Sequence, residues 1–307
     1  MLSGGLNMSE LAKIEKKLKT HKPYVPVHDD PKAELRRLVQ EHRNTTRNSV
    51  SLGLMASDRT DRKTGEVMPC RLPKDAKDAL LETSEALKRA ANRLQRHMEK
   101  QLAKLPIWIL FLSKVRGCGP VTAAYLVAYI DWAICTKPSQ LKRFCGFAVV
   151  DGKSERRSKG EKLHYVSELK TRLYQMFAIG IRQNKRHGSS KYMSIWENAK
   201  HGLLTTRGPE TEFKRTKGWC DDTSRRKATD AFLEDLYIVG RATAGLEVWP
   251  TYYERMTCHE HGGSIADITP KVISIEDALR KVGVADVGPA EVIDESELDE
   301  DDSAAAE

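Results

Sequence analysis

Two glycines one residue apart, in the run Val115-Arg116-Gly117-Cys118-Gly119-Pro120, give the strongest chemical signal in the chain. Glycine lets a backbone turn tightly and approach a phosphate with no Cβ in the way, and the amides of a helix starting just beyond such a turn point at a bound anion. An apolar segment precedes the run, and Thr122, Ala123, Ala124 and Ala128 follow it, with small side chains that permit close helix packing. The pattern reads as helix-hairpin-helix. Arg116, Gly117, Cys118, Gly119 and Thr122 are therefore expected to hold backbone phosphate without reading base edges. A plain tight turn between two helices is the alternative.

The second candidate is the charged stretch DGKSERRSKG, where Lys153, Arg156, Arg157 and Lys159 surround Ser154 and Ser158. Cations packed beside a hydroxyl can hold phosphate and stabilise the charge that develops when a serine attacks phosphorus. The same residues also read as a solvated turn with incidental serines. Cys258, His259 and His261, with Cys220 at a distance, are zinc-ligand types without the paired spacing of a zinc site, so no metal ligand is assigned. The six cysteines contain no C-x-x-C pair, which suits scattered, reduced thiols. No cofactor is identifiable from the residues.

Charge narrows the partner. The chain carries a net +8, but residues 290 to 307 hold nine acids and no base, so the remainder stands at +17. Such a surplus concentrates polyanions around a protein and suits phosphate-backbone binding. Residues 182 to 227 add twelve Lys and Arg against five acids, interleaved with Tyr192, Trp196, Phe213 and Trp219. That stretch reads either as a groove that tracks a backbone and stacks on bases, or as core aromatics with solvated charges. DNA is the expected partner. The acidic tail reads as a mimic of nucleic acid that competes for the basic face, or as a solubilising end. No apolar run reaches the length of about 18 residues that a membrane span needs, and no secretory signal is visible at Met1 to Asn7, so the expected location is the cytoplasm, on the nucleoid.

The elements that must position these groups are mainly helical. Leu11, Ile14 and Leu18 mark a basic amphipathic helix over 9 to 21, prolines interrupt it, and a further helix is expected from about residue 32 to 56. A polar loop from Asp58 to Pro73 precedes a long helix over 74 to 104, where Leu80, Leu87 and Leu94 recur in heptad fashion with Ala91 and Met98. It is expected to fold back as a hairpin that also pairs with a second copy, giving a homodimer or higher oligomer; an ordinary bundle helix without such a partner is the alternative. The expected fold is thus mainly α: a helical, coiled-coil-like arm over 1 to 104 and a helix-hairpin-helix domain over 105 to 183 with a small β element near Phe147 to Lys153. A basic region over 184 to 289, irregular to Lys227, has C-terminal helices packing on that domain. Those helices are expected over 228 to 242 and from Ser274 to Lys281, and the tail over 290 to 307 is expected to be disordered.

The hairpin raises base-excision DNA glycosylases as a class, but Pro120 and Val121 follow the bend where the bifunctional enzymes place a lysine, and after Asp131 no acid occurs until Asp151. The order GxGPVTA, an apolar helix, KPSQLKRFCGF, a charged turn with serine and a basic helix instead resembles the C-terminal transposase domain of the IS-one-ten (IS-one-sixteen, IS-nine-oh-two) insertion-sequence transposases, a group that includes Piv-type DNA invertases. The likeness covers roughly 65 to 75 residues, a small module, and the long helix before the hairpin is similar to the coiled coil that precedes this domain in the family. The resemblance implies DNA transposition or recombination, with Ser154, or second to it Ser158, as nucleophile. It further implies Mg²⁺ held by four acids of an N-terminal RuvC-like domain, and leaves a guide or structured RNA open as a partner. Residues 1 to 104 contain no apolar strand bearing an aspartate; Asp29, Asp30, Asp58, Asp61, Asp75 and Asp78 read as caps or solvated charges. A reduced relative without the metal-dependent domain, or a non-catalytic binding module, follows from that difference.

Overall fold

Leu35, Leu38, Val39, His42 and Ser49 recur every three, four or seven residues, and together they form the buried face of the first helix, α1 (Pro31–Ala56). The computed structural model describes residues 31–61, 64–150, 153–154, 160, 163–181, 190–205, 216–251 and 269–283. The expected helix over 9 to 21 and the acidic tail lie outside the described residues. Beyond α1 the expected loop contains a small antiparallel bridge, β1 (Arg59–Thr60) against β2 (Val67–Met68), with Gly65 at φ 74 in the connection. The long helix α2 (Lys74–Leu102) then returns along α1, so the arm is a helical hairpin.

Its buried line differs from the leucine heptad. Ser84, Ala91, Met98 and Leu102 face inward, whereas Leu80, Leu87 and Leu94 flank them half-buried. Small side chains explain the shift. Ser49 Oγ donates to Ser84 O at 2.8 Å, and Ser84 Oγ donates to Ser49 O at 2.9 Å, so each hydroxyl is satisfied on the neighbouring helix. Gly53 packs against the same serine, with 3.4 Å between Ser84 Oγ and the place a Cβ would occupy. A leucine line would hold the helices further apart at this point.

The body follows. A short helix α3 (Pro106–Leu110) and a 3₁₀ turn (Leu112–Lys114) lead into the glycine bend and α4 (Pro120–Tyr129). Residues Ala123 to Ala128 are all buried, as expected of a helix apolar on every side that lies between others. It packs on α1 and α2. Then come α5 (Pro138–Phe144), the two-residue strands β3 (Val149–Val150) and β4 (Lys153–Ser154), and α6 (Ser167–Gln175), which widens into a π turn (Met176–Ile181). The β element thus forms where expected. The stretch expected to be irregular as far as Lys227 holds α7 (Lys191–Thr205) and the start of α8 (Lys217–Thr243), whose first turn Thr216 caps by accepting from Trp219 N at 3.1 Å. The helix α9 (Ile275–Lys281) is capped by Ser274, which accepts from Asp277 N at 3.0 Å.

Phe232 of α8 is the hub of the core, with ring centroids 6.1 Å from Phe111, 5.9 Å from Phe177 and 5.5 Å from Tyr192. Leu35, Leu38, Val39, Met98 and Leu102 belong to the same cluster, so packing is continuous from the base of the arm into the body. The fold is mainly α. Among the described residues no helix is long and apolar enough to cross a membrane.

Candidate nucleic-acid interface

The bend is a four-residue turn. Cys118 N donates to Val115 O at 2.9 Å, and Gly117 at the third position has φ 82, the left-handed geometry that glycine adopts without strain. Gly119 then takes the N-cap conformation of α4 at φ −71 and ψ 169. As a glycine it has no side chain to cap the helix, and Pro120 occupies the first helical position, where no N–H is needed. Ala123 N is the first helix amide to find an acceptor, Gly119 O at 3.0 Å. The Gly119, Val121 and Thr122 amides have no acceptor among the described residues. Gly119 is exposed, while Gly117, Val121 and Thr122 are half-buried. Aligned first-turn amides carry partial positive charge, so this end of α4 suits an oxyanion.

Cys118 differs from expectation. Its side chain is only 5 % exposed and its N–H serves the turn, so it plugs the bend into the core and offers nothing to a ligand. Burial pushes the Cys118 thiol up to about 12. Arg116 is half-buried, and exposed Ser113 and Lys114 lie just upstream.

The second candidate forms through different forces. Gly146, at φ 79, ends α5 under the Tyr165 ring, which would stand 2.7 Å from a Cβ there. Phe147 N donates to Lys142 O at 2.8 Å, and Arg226 Nη2 donates to Phe147 O at 2.6 Å. This ties the start of the β hairpin to α8. In it Val149 pairs with Ser154 and Val150 with Lys153. Arg156, Arg157, Ser158 and Lys159 lie outside the described residues, as do Phe213, Cys258, His259 and His261. The structure therefore brings Arg116, Gly117, Gly119 and Thr122 together in one bend and supplies the backbone of Lys153 and Ser154.

Beneath that hairpin is a group the sequence did not single out. Arg226, Asp230 and Glu234 follow one another at helical spacing on α8, with Lys142 of α5 at 2.8 Å from Glu234. Asp230 Oδ1 has no hydrogen-bond partner among the described residues, and burial raises its carboxyl against the opposing pull of Lys142 and Arg226. The i, i+4, i+8 spacing of the three charges was the available signal.

The described residues offer no site for the Mg²⁺ that the resemblance implies. Among the described residues no three His, Cys, Asp or Glu side chains converge. Asp58 accepts from Cys70 N at 2.9 Å and pairs with Lys77 at 3.4 Å, which holds its carboxyl below the usual range. Two acids of the body are tied to cations, Asp221 to Lys200 at 2.6 Å and Asp235 to Lys191 at 2.7 Å. Cys220 is buried with its Sγ 4.0 Å from Leu203 O. Of the expected stacking aromatics, Tyr192 is in the core, Trp196 lies under Lys200 at 4.6 Å, and Trp219 is exposed.

No protein-family model, curated protein or solved structure matches this chain.

Proposed function

We propose that this chain binds DNA as a protein of the transposase or site-specific recombinase type, gripping the backbone at the bend from Arg116 to Thr122. The carrying observation is the set of three amides, at Gly119, Val121 and Thr122, with no acceptor among the described residues, on a diglycine bend whose Gly119 is exposed, in a chain with strong cationic surplus. Contact of this kind holds phosphate and ignores sequence, so target choice would come from elsewhere, including a guide or structured RNA. On this reading DNA of the nucleoid is the ligand, and a homodimer through the arm would present two such bends.

In this reading Ser154 Oγ attacks phosphorus. A serine–phosphate ester forms, the P–O bond to the departing deoxyribose oxygen breaks, the hydroxyl proton passes to a base and the departing oxygen takes up another. Lys153, Arg156, Arg157 and Lys159 would steady the negative phosphoryl oxygens. The alternative is an accessory module that binds and breaks nothing. The arm favours it, because residues 31–61 and 64–102 build a helical hairpin, with no strand-borne aspartate of the sort a metal-dependent domain opens on.

Incubation with nicked or branched DNA and Mg²⁺, followed by denaturing electrophoresis, separates the two. A covalent protein–DNA species that disappears in Ser154→Ala supports strand transfer. Binding without any such species supports the accessory reading, and absence of binding sinks both.

A further inference from the structure

We propose that the outer end of the arm, where α1 passes through the β1–β2 ribbon into α2, is the surface through which two copies of this chain pair. The contact stands apart from the DNA reading and assigns the homodimer to one stretch of the arm. Seven of the fourteen large apolar side chains that stand exposed among the described residues belong to positions 50 to 81. Val50, Leu54 and Met55 lie on the last turns of α1, and Val67 and Met68 form β2. Leu72 precedes α2 and Leu81 is in its second turn.

These residues sit on a built surface. Cys70 N donates to Asp58 Oδ1 at 2.9 Å, Cys70 Sγ donates to Met55 O at 3.3 Å, and Lys77 pairs with Asp58 at 3.4 Å, so the ribbon is pinned to both helix ends. Val50 lines an open cleft between the helices together with Lys88 and Ala91. Leu54 is one turn further out on α1, and Leu81 is seven residues before Lys88 on α2, so both continue that side of the hairpin toward the tip. The leucine heptad is a different surface, half-buried at Leu80 and Leu87.

Area and charge point to a second copy. The seven side chains leave about 600 Å² of apolar surface open, as much as the largest patch on a typical monomer. A standard interface takes about 800 Å² from each partner, of which about 60 % is apolar, so one tip against another supplies what a stable dimer needs. Residues 50 to 86 carry seven acids and six bases, whereas residues 1 to 289 together stand at +17. The tip is therefore a part of a cationic chain where two copies meet without like-charge repulsion, and it has no surplus to draw a polyanion there instead. Exposed Arg71, Lys74, Asp75 and Asp78 give it the mixed polar rim of an interface. With α2 about 43 Å long, joined tips leave both bodies and their glycine bends at the far ends of the arms.

The test is sedimentation equilibrium of full-length, nuclease-treated protein over a wide concentration range, for wild type, Leu54→Glu, Val67→Glu and Ile134→Glu, with unfolding curves for each. Leu54 and Val67 are 63 % and 64 % exposed, so glutamate there leaves the monomer folded, and Ile134, at 73 % on the body, is the control. Wild type and Ile134→Glu should dimerise alike. Each tip variant should raise the dimer Kd about a hundredfold, a factor of about ten from each copy, because a two-fold contact loses the same anchor twice. Added sulfate should tighten the wild-type dimer, as apolar contact requires. A wild type that stays monomeric at every concentration overturns the proposal and leaves the face to a different protein or, if Leu54→Glu lowers the melting temperature, to another part of this chain. A dimer that survives both tip variants overturns it as well. Duplex binding, measured separately, decides the DNA reading whatever the oligomeric state.

Discussion

Gly119→Ser turns the missing helix cap into a test of the bend. At φ −71 and ψ 169 the position already has N-cap geometry, and a Cβ there would meet no heavy atom within 4 Å, so serine enters without strain. Its Oγ would accept from the Thr122 amide in the usual N-cap manner and thereby occupy one of the three groups assigned to phosphate. Serine caps a helix better than glycine by only a few tenths of a kcal/mol, so the melting temperature should hold or rise by about a degree. Binding should move the other way. A hydrogen bond to a charged group contributes roughly 1.5–3 kcal/mol, and about 1.4 kcal/mol is a factor of ten. The variant should therefore bind duplex about tenfold to about a hundredfold more weakly. Because no Lys or Arg is removed, the salt dependence should stay nearly parallel to that of wild type. Fluorescence anisotropy across a salt series measures both quantities. A stable variant that binds as tightly as wild type refutes the claim that these amides contact phosphate. Gly117→Val is less informative, since φ 82 is hostile to a branched side chain and would lower stability and binding together.

Other perturbations probe the scaffold. Gly240→Ala would drive a methyl to 2.6 Å from the Trp132 ring, an overpacking that costs roughly 1–3 kcal/mol and should lower the melting temperature by several degrees; an unchanged transition would show that Trp132 does not pack on α8. Burial raises the Asp235 carboxyl while Lys191 and Tyr192 oppose the rise. A raised folded-state value favours folding below the unfolded carboxylate pKa of about 3.9, a contribution lost as pH climbs through the folded value. Removing the ammonium raises that value further, so the urea midpoint of Lys191→Met should fall more at pH 8 than near pH 4, and equal losses would contradict the pairing. Cys118, held up at about 12 and enclosed, should resist a thiol reagent at pH 8 until the protein unfolds, whereas half-buried Cys70 should react in the native state; mass spectrometry of timed labelling gives the order.

The fold was legible where one residue type dictates local geometry. Ser274 with Asp277 marked the start of α9, and the Gly and Pro positions bounded α2 and α4, because caps, turns and ring closure act within a few residues. It was less legible where packing decides. The leucines at 80, 87 and 94 formed the conspicuous repeat, yet the hairpin closes on Ser84, Ala91 and Met98, since two serines can satisfy each other across a tight interface. That pairing is invisible until the partner helix is known. The first turns of α8 escaped for a related reason: Lys217, Asp221, Asp222 and Arg225 look like loop chemistry, but Thr216 caps them and Asp221 is tied back to Lys200 on α7.

The candidate binding surface was harder to read than the fold, because a sequence counts charges without saying which are engaged. Arg241 is 6 % exposed and donates to the carbonyls of Trp132, Cys135 and Glu247, so it braces the turn between α4 and α5 against α8. Arg226 serves Phe147 O, and Arg36 serves Ala128 O at 2.7 Å. All three enter the cationic surplus while holding carbonyls within the fold, Arg241 through both Nε and Nη1 and the other two through one nitrogen each. Net charge still sets the long-range field that draws a polyanion in. Where the ligand docks is decided by donors left over after folding, and these include groups with no formal charge. The diglycine spacing exposed one candidate for such a place because it reports backbone shape directly. On these grounds an arginine-rich segment is a weaker guide to contact than an uncapped helix start, and a variant that caps α4 without touching any charge separates the two ideas most cleanly.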